Sequence, residues 1–121
     1  MDSLPIYLQI SQFIENEILK DNLQAAERVP STNEFAKALD INPATAGRGL
    51  NALVEEGIIY KQRGVGMFVS KDAMEIIVRK RLKVFLDESL PHFVQEAKKL
   101  GVEEEELINL IREKYQTGDS R

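Results

Sequence analysis

Residues 42 to 69 read NPATAGRGLNALVEEGIIYKQRGVGMFV, and this stretch decides the fold. Asn42 is a favourable helix-capping residue, and the proline that follows suits the first helical position, where its missing amide proton would have no partner. Ala46, Leu50 and Leu53 recur at the i, i+4, i+7 spacing of one narrow apolar helix face. The pattern predicts a helix whose opposite face is short, polar and carries one cation.

A tight hairpin is expected directly after this helix. Gly57 supplies the left-handed residue that ends helices, and residues 58–60, Ile-Ile-Tyr, begin a strand of β-branched and aromatic residues. Residues 63–66, Arg-Gly-Val-Gly, then turn the chain into a second strand. The result is a two-stranded wing with Lys61 and Arg63 near its tip.

The segment before the helix completes a helix-turn-helix. Ser31 and Glu34 have the spacing of a capping box, which predicts a helix over about residues 32–39. Residues 40–41 then make the short turn that helix-turn-helix geometry needs. This arrangement of helices and wing indicates DNA binding. The apolar side of the shorter helix is expected to comprise Phe35, Ala36 and Leu39.

A supporting helix is predicted upstream, opened by Pro5. The connection over residues 19–31 has too little periodicity for an assignment. The fold class is therefore α+β, mainly α, with a winged helix-turn-helix domain at residues 1–70. The apolar positions of the supporting helix are Ile6, Ile10, Phe13, Ile14 and Ile18.

The tail, residues 71–121, is helical by pattern and forms a second domain. Pro91 lies in the middle of its apolar stripe and should kink or break the helix, because it removes one hydrogen bond and clashes with the preceding turn. Gly101 should end this helix. The stripe comprises Met74, Ile77, Val78, Leu82, Phe85, Leu86, either Ser89 or Leu90, Phe93, Val94, Ala97 and Leu100.

A last helix follows, with four glutamates at residues 103–106 near its positive N-terminal pole. The tail's stripe is too wide for a small monomer to bury, which favours a homodimer. A helical hairpin that merely finishes the core is the simpler interpretation. The last helix is expected to point Leu107, Ile108, Leu110, Ile111 and Tyr115 inward. The residues predicted for dimerisation are Ile77, Val78, Leu82, Phe85, Leu86, Phe93, Leu107 and Ile111.

Composition neither suggests nor excludes DNA binding. The net charge is -4, and residues 1–70 carry six Lys or Arg against nine Asp or Glu. Bulk charge therefore argues mildly against nucleic acid, since phosphate neutralisation supplies most non-specific affinity. The local placement of four cations on one side of the expected fold carries more weight. These cations are Arg28, Arg48, Lys61 and Arg63.

Several classes of function are disfavoured because the chain lacks the residues that they need. There is no cysteine, and His92 is the one histidine, so no metal or other cofactor is expected. The longest strongly aliphatic run is residues 76–78, far below the roughly 18 residues that span a bilayer. No signal pattern opens the chain. We expect a cytoplasmic protein without membrane association that is not an enzyme.

Five short sequence segments, with their order and spacing kept, resemble those of a known family. Together they are similar to the N-terminal domain of GntR-family transcriptional regulators over about residues 4–70. The short tail, with LGVEEEEL at residues 100–107, resembles the YtrA-like subfamily, whose tail is two helices used for dimerisation. The resemblance implies a homodimeric, sequence-specific repressor of double-stranded DNA with a palindromic operator near its own operon. The segments are PIYLQI (5–10), RVPS (28–31), NPAT (42–45), EEG (55–57) and RGVGMFV (63–69).

The candidate DNA-binding surface departs from the family at two glycines. Gly47 stands where many members have Arg or Gln, and Gly49 where Ala is usual; each costs a helix about 1 kcal/mol relative to Ala. We expect Ala at either position to stabilise the fold, provided that the methyl at position 49 fits against the first helix. The candidate residues are Arg28, Ser31, Thr32, Asn33, Asn42, Ala44, Thr45, Gly47, Arg48, Asn51, Lys61, Arg63 and Gly64.

Alternative interpretations stay open at this point. Arg48 and Arg63 could be ordinary solvated residues, Arg28 could pair with a nearby carboxylate, and Ser31 could be only a cap. The competing function is a winged-helix module that binds a protein partner and not DNA. An unidentified small-molecule effector would have to lie between the tail helices and the wing or across a dimer seam. Residues that could line such a site are Tyr60, Phe85, Phe93 and Tyr115.

Overall fold

A computed structural model describes residues 4–118 and shows a mainly helical chain with one small antiparallel sheet. The fold class predicted from the sequence is confirmed. The elements are α1 (Ile6–Leu19), β1 (Arg28–Val29), α2 (Thr32–Leu39), α3 (Pro43–Glu55), β2 (Ile59–Gln62), β3 (Gly66–Val69), α4 (Ala73–Val84), a π-helical segment (Phe85–Ser89), α5 (Leu90–Lys99) and α6 (Glu104–Thr117).

Helix α1 begins just after Pro5, whose carbonyl accepts hydrogen bonds from the amides of Leu8 and Gln9 at 3.0 and 3.1 Å. The predicted positions Ile10, Ile14 and Ile18 are buried in the core. Two other predicted positions, Ile6 and Phe13, are each 53% exposed. Ile6 is the first residue of the helix, and Phe13 instead packs edge-on against Phe35 at 6.3 Å between ring centroids.

Helix α2 begins with the predicted capping box. The Ser31 hydroxyl accepts from the Glu34 amide at 3.1 Å, and a Glu34 carboxylate oxygen accepts from the Ser31 amide at 2.8 Å. Asp40 ends the helix in the left-handed conformation, with φ of 56°, which allows the short turn into α3. The expectation of a buried Leu39 was wrong: its side chain is 51% exposed, while Phe35 and Ala36 are buried.

Helix α3 also begins as predicted. The Asn42 side-chain oxygen accepts from the Ala44 amide at 2.7 Å. Ala46, Leu50 and Leu53 have no exposed surface, which confirms the apolar face assigned from spacing. Gly57, with φ of 79°, turns the chain out of the helix into β2.

The sheet has three strands in the order β1-β3-β2, all antiparallel. The hairpin pairs Ile59 with Val69 and Gln62 with Gly66, so the predicted wing is confirmed. Strand β1 was not predicted, because two residues show no periodicity. It pairs with the free edge of β3, and Val29 is fully buried there.

Helix α1 approaches α3 closely at Gly49. The Ser11 hydroxyl donates to the Gly49 carbonyl at 2.7 Å. A Cβ at position 49 would lie 2.6 Å from the Tyr7 carbonyl oxygen and 3.1 Å from Ile10 side-chain carbons. The condition set for stabilisation by alanine at position 49, that its methyl fits against the first helix, is therefore not met, because the backbone of α1 occupies the space that a methyl group needs. Gly47 has ordinary space around it, with a Thr32 methyl 3.5 Å from the site of its Cβ.

The chain divides into two compact units, Met1–Arg79 and Lys80–Arg121. The division falls inside α4 and not after residue 70, because Ala73 and Ile77 pack into the core of the first unit. Ile77 was predicted to contribute to dimerisation, but it has no exposed surface and cannot do so without opening that core.

In the second unit the helix runs through Pro91, so of the two predicted outcomes, a kink or a break, the break does not occur. The π-helical segment precedes the proline, and the Leu90 amide donates to the Phe85 carbonyl five residues back. A proline ring clashes with a carbonyl of the preceding α-helical turn, so a wider turn at this place accommodates it. The left-handed Gly101, with φ of 76°, follows the end of α5 as predicted.

The apolar residues of this unit are mostly exposed. Ala97 is the buried residue of α5, and no residue of α6 is buried. The expectation that α6 points its apolar side inward is therefore not met within one chain. The exposed large side chains of this unit are Leu82, Val84, Phe85, Leu86, Leu90, Phe93, Leu100, Leu110, Ile111 and Tyr115.

Alanine substitutions at the two glycines should have opposite effects on stability. Gly49→Ala is expected to lower the free energy of unfolding by about 1 to 2 kcal/mol, because overpacking outweighs the gain in helix propensity. Gly47→Ala serves as the matched control and should raise it by about 0.5 to 1 kcal/mol. Urea unfolding of both variants measures the difference. Stabilisation by Gly49→Ala would contradict the described packing of α1 on α3.

Candidate nucleic-acid interface

The outward face of α3 lines a shallow groove with α1. The groove has a volume of about 690 Å³, and the predicted residues Ala44, Gly47, Arg48 and Asn51 line it. Tyr7 and Leu8 of α1 form another part of its lining. Thr45 lines a second depression of about 420 Å³ that shares Tyr7 and Arg48 with the first. The structure thus brings the predicted α3 residues together at one surface.

Tyr7 is a member of this surface that sequence reasoning missed. The Arg48 guanidinium lies over the Tyr7 ring, with its central carbon 3.9 Å from the ring centroid. Such cation–π contacts contribute about 0.5 to 1 kcal/mol at exposed sites. Arg48 is therefore not a freely solvated residue. Only the position of Tyr7 in the PIYLQI segment could have drawn attention to it, since a lone tyrosine has no periodic signal.

Arg28 forms an ion pair with a nearby carboxylate, which was the alternative to a DNA contact for this residue. Its guanidinium lies 3.3 Å from a Glu34 carboxylate oxygen, and both side chains are about half exposed. The pKa of Glu34 is lowered, first by the hydrogen bond from the Ser31 amide and then by the charge of Arg28. Exposed pairs of this kind contribute little to stability, because water screens them. A DNA contact by Arg28 remains a prediction, and it would compete with this ion pair.

The start of α2 presents three more predicted residues. The Ser31 hydroxyl is used in the capping box, so its structural role is observed. The Thr32 methyl group faces the Gly47 position of α3, which joins the start of α2 to the groove-forming helix. Asn33 is exposed. The positive pole of a helix N-terminus favours anions, which suits a phosphate at this place.

The wing carries the remaining predicted residues. Lys61 and Arg63 are exposed, and neither lines the groove formed by α1 and α3. Gly64 has φ of 78°, a conformation that a larger residue would adopt only with strain. The rings of Tyr60 and Phe68 stack across the two strands at 5.8 Å between centroids, which stiffens the wing. That Lys61 and Arg63 face the same side of the domain as Arg48 remains a prediction.

The surroundings of the groove are not uniformly positive. Glu55 lines one part of it, in the last turn of α3. Arg48 is the one cation in the lining of this groove within residues 4–118. The surface can therefore donate hydrogen bonds from Arg48 and Asn51 at defined positions, but it offers no broad positive patch.

Within residues 4–118, no three His, Cys, Asp or Glu side chains are grouped so that they could bind a metal ion. Over the same part of the chain, no helix has the length and apolar character needed to cross a bilayer.

Comparison with known proteins gives a consistent family assignment. The family model described as bacterial regulatory proteins, gntR family, matches residues 6–69, which is more than half of the chain. The chain is 33% identical over 111 residues to the HTH-type transcriptional repressor YtrA of Bacillus subtilis (strain 168); the match covers 92% of this chain and 85% of that protein.

Solved structures agree with this assignment. A GntR family transcriptional regulator from Listeria monocytogenes is similar with a TM-score of 0.75 and 32% identity, and the match covers 93% of this chain and 97% of that one. AraR(DBD) in complex with operator ORX1 is similar with a TM-score of 0.54 and 26% identity, covering 56% of this chain and 82% of that one. The chain therefore belongs to the GntR family of bacterial regulatory proteins and is YtrA-like along most of its length.

Proposed function

We propose that this chain is a cytoplasmic transcriptional repressor that binds operator DNA through α3 and the wing. The observation that carries the proposal is the outward face of α3, where Thr45, Arg48 and Asn51 lie together beside a groove. The relative YtrA is named a transcriptional repressor, and AraR(DBD) was solved with an operator. A relative that is named a repressor fits the expectation that this chain is not an enzyme.

In this proposal α3 enters the major groove as the second helix of a helix-turn-helix. Arg48 and Asn51 are the side chains with donor groups suited to guanine and adenine edges respectively. Ala44 and Gly47 are small, so they let the helix backbone come close to the bases. Few long side chains read the sequence directly, and DNA shape and half-site spacing supply more of the specificity.

The wing and the start of α2 would hold the phosphate backbone. Lys61 and Arg63 are exposed on the wing and can neutralise phosphates, which releases counterions. The N-terminus of α2, with Thr32 and Asn33, offers an anion-favouring helix pole. These contacts orient the protein on DNA without reading its sequence.

The second unit would make a homodimer. Its large apolar side chains are exposed in a single chain, and no residue of α6 is buried there. Association of two copies around a two-fold axis would cover this surface and match a palindromic operator. The proposed contact residues of this unit are Leu82, Phe85, Leu86, Phe93, Leu107 and Ile111. Val78, near the end of the first unit, is proposed as a further contact residue.

A small-molecule effector stays a hypothesis. Phe93 lines an open depression of about 770 Å³ on α5 and the π-helical segment, together with Glu88, His92 and Glu96. The other residues suggested for an effector, Tyr60, Phe85 and Tyr115, do not line it.

The runner-up function is a winged-helix module that binds a protein and not DNA. The excess of acidic residues over residues 1–70 is the observation that favours it. An electrophoretic mobility shift with the promoter of the chain's own operon separates the two functions. A shift that survives unrelated competitor DNA supports the repressor, and its absence at micromolar protein supports the module.

Removing the two exposed arginines should weaken operator binding in distinguishable ways. If Arg63 contacts a phosphate, Arg63→Ala is expected to make the plot of log K against log salt concentration less steep, by about one unit of slope. Arg48→Ala should cost about 1 to 3 kcal/mol and relax the preference for one base pair if it reads a base edge. Fluorescence anisotropy titrations at several salt concentrations measure both effects. Arg112→Ala on α6 is the matched control, and unchanged affinity in both test variants would rule out this docking face.

A charge in the apolar surface of the second unit should dissociate the dimer. Phe85→Asp is expected to produce a monomer, because burying an unpaired carboxylate at an apolar contact costs several kcal/mol, on the order of 3 to 5. Sedimentation velocity at micromolar concentration reports the mass, and operator affinity should fall in parallel. Gln95→Asp adds the same charge on α5 and should stay dimeric. A wild-type chain that is already monomeric at this concentration would disprove the dimer.

A further inference from the structure

The contact between Tyr7 and Arg48 joins two helices at the candidate DNA-binding surface. Tyr7 belongs to α1 and Arg48 to α3, and the guanidinium lies over the ring at 3.9 Å from its centroid. Both residues line both of the depressions beside α3.

The backbone of Tyr7 is held in place next to this contact. Its carbonyl oxygen faces Gly49, where a Cβ would come within 2.6 Å. The Ser11 hydroxyl donates to the Gly49 carbonyl at 2.7 Å and also lies 3.4 Å from the Tyr7 carbonyl oxygen. Gly49 follows Arg48 directly in the chain. The ring and the guanidinium are therefore presented by two backbone segments that touch each other.

Stacking leaves the hydrogen-bonding edge of Arg48 free. A guanidinium is planar and carries its five N–H donors in that plane, so a ring on one face covers none of them. The ring restricts where the plane can lie and so reduces the freedom that Arg48 would lose on binding. Within residues 4–118, no hydrogen bond or ion pair from Arg48 to an acidic side chain is described.

We infer that Tyr7 is a positioning residue for DNA recognition: its ring fixes the Arg48 guanidinium so that the donor edge faces the bound duplex. The inference rests on the proposed function, because it assigns a role within the same surface. The ligand is the acceptor-rich edge of a base pair in the major groove. The hydroxyl group of Tyr7 has no part in this role, since the stacking uses only the ring face.

Two substitutions of Tyr7 separate positioning from direct contact. Tyr7→Phe keeps the ring and should bind within twofold of wild type. Tyr7→Leu removes the ring and should bind about fivefold to tenfold more weakly and lose discrimination at the base pair that Arg48 reads. The probe is a duplex selected by the wild-type chain from a randomised pool, tested with single base-pair changes. Equal losses in Tyr7→Phe and Tyr7→Leu would show a direct hydroxyl contact and overturn the inference.

A double-mutant cycle with Arg48→Ala distinguishes positioning of Arg48 by Tyr7 from a general effect of Tyr7 on the fold. In the Arg48→Ala background, Tyr7→Leu should have no further effect on affinity or base preference. The same fivefold to tenfold loss in both backgrounds would show that Tyr7 acts independently of Arg48, and would overturn the inference while leaving the proposed function intact. A wild-type chain that selects no duplex from the pool would instead overturn the proposed function.

A measurement without DNA tests the contact by itself. The Arg48 side-chain protons should show an upfield ring-current shift in the NMR spectrum of wild type and of Tyr7→Phe, lost in Tyr7→Leu. Arg48→Lys provides a second route should Tyr7→Leu not fold: it keeps the charge but not the planar donor edge, and should lose base discrimination with Tyr7 intact. Full discrimination by Arg48→Lys, or absence of the shift in wild type, would overturn the inference.

Discussion

The close approach of α1 to α3 at Gly49 is the constraint on which the DNA-binding surface depends. The Tyr7 carbonyl oxygen occupies the place of a side chain at position 49, and the Ser11 hydroxyl bonds to the Gly49 carbonyl. With this spacing Ala46, Leu50 and Leu53 are fully buried on one face of α3. The opposite face, with Arg48, is thereby presented to solvent beside α1.

The four candidate cations at this surface differ in whether a neighbouring side chain holds them. Arg28 pairs with Glu34, and Arg48 stacks on Tyr7, so two of the four candidate cations are held by neighbours. Lys61 and Arg63 are exposed on the wing, which the stacked rings of Tyr60 and Phe68 stiffen. A surface of this kind relies on placement of single groups, because residues 1–70 have a net negative charge.

Local signals in the sequence were enough to predict most of the fold. The capping box at Ser31, the cap at Asn42 and the left-handed Gly57 depend only on near neighbours in the chain, and the structure confirms each. The candidate surface on α3 followed from helical periodicity in the same way. Features that depend on distant partners were missed or wrong, since no periodicity encodes them.

Gly49 and Tyr7 illustrate this limit. Helix propensity alone predicts that glycine at position 49 destabilises α3. The backbone of α1, however, leaves no space for a larger residue at this position. Tyr7 gains its place at the surface only because α1 packs on α3. Likewise, β1 depends on the open edge of β3. The π-helical segment before Pro91 has a local cause, but a proline within a helix predicts a kink or a break and does not specify a wider turn.

The central claim is that α3, held by α1, presents the surface that binds DNA. Amide hydrogen exchange of the full chain, with and without a duplex carrying its own promoter, tests this claim most directly. The account expects added protection in the first turns of Pro43–Glu55 and in the turn before Gly66, with little change in the core helix Ile6–Leu19. Protection confined to Leu90–Lys99 or Glu104–Thr117, with α3 unchanged while DNA is bound, would contradict it.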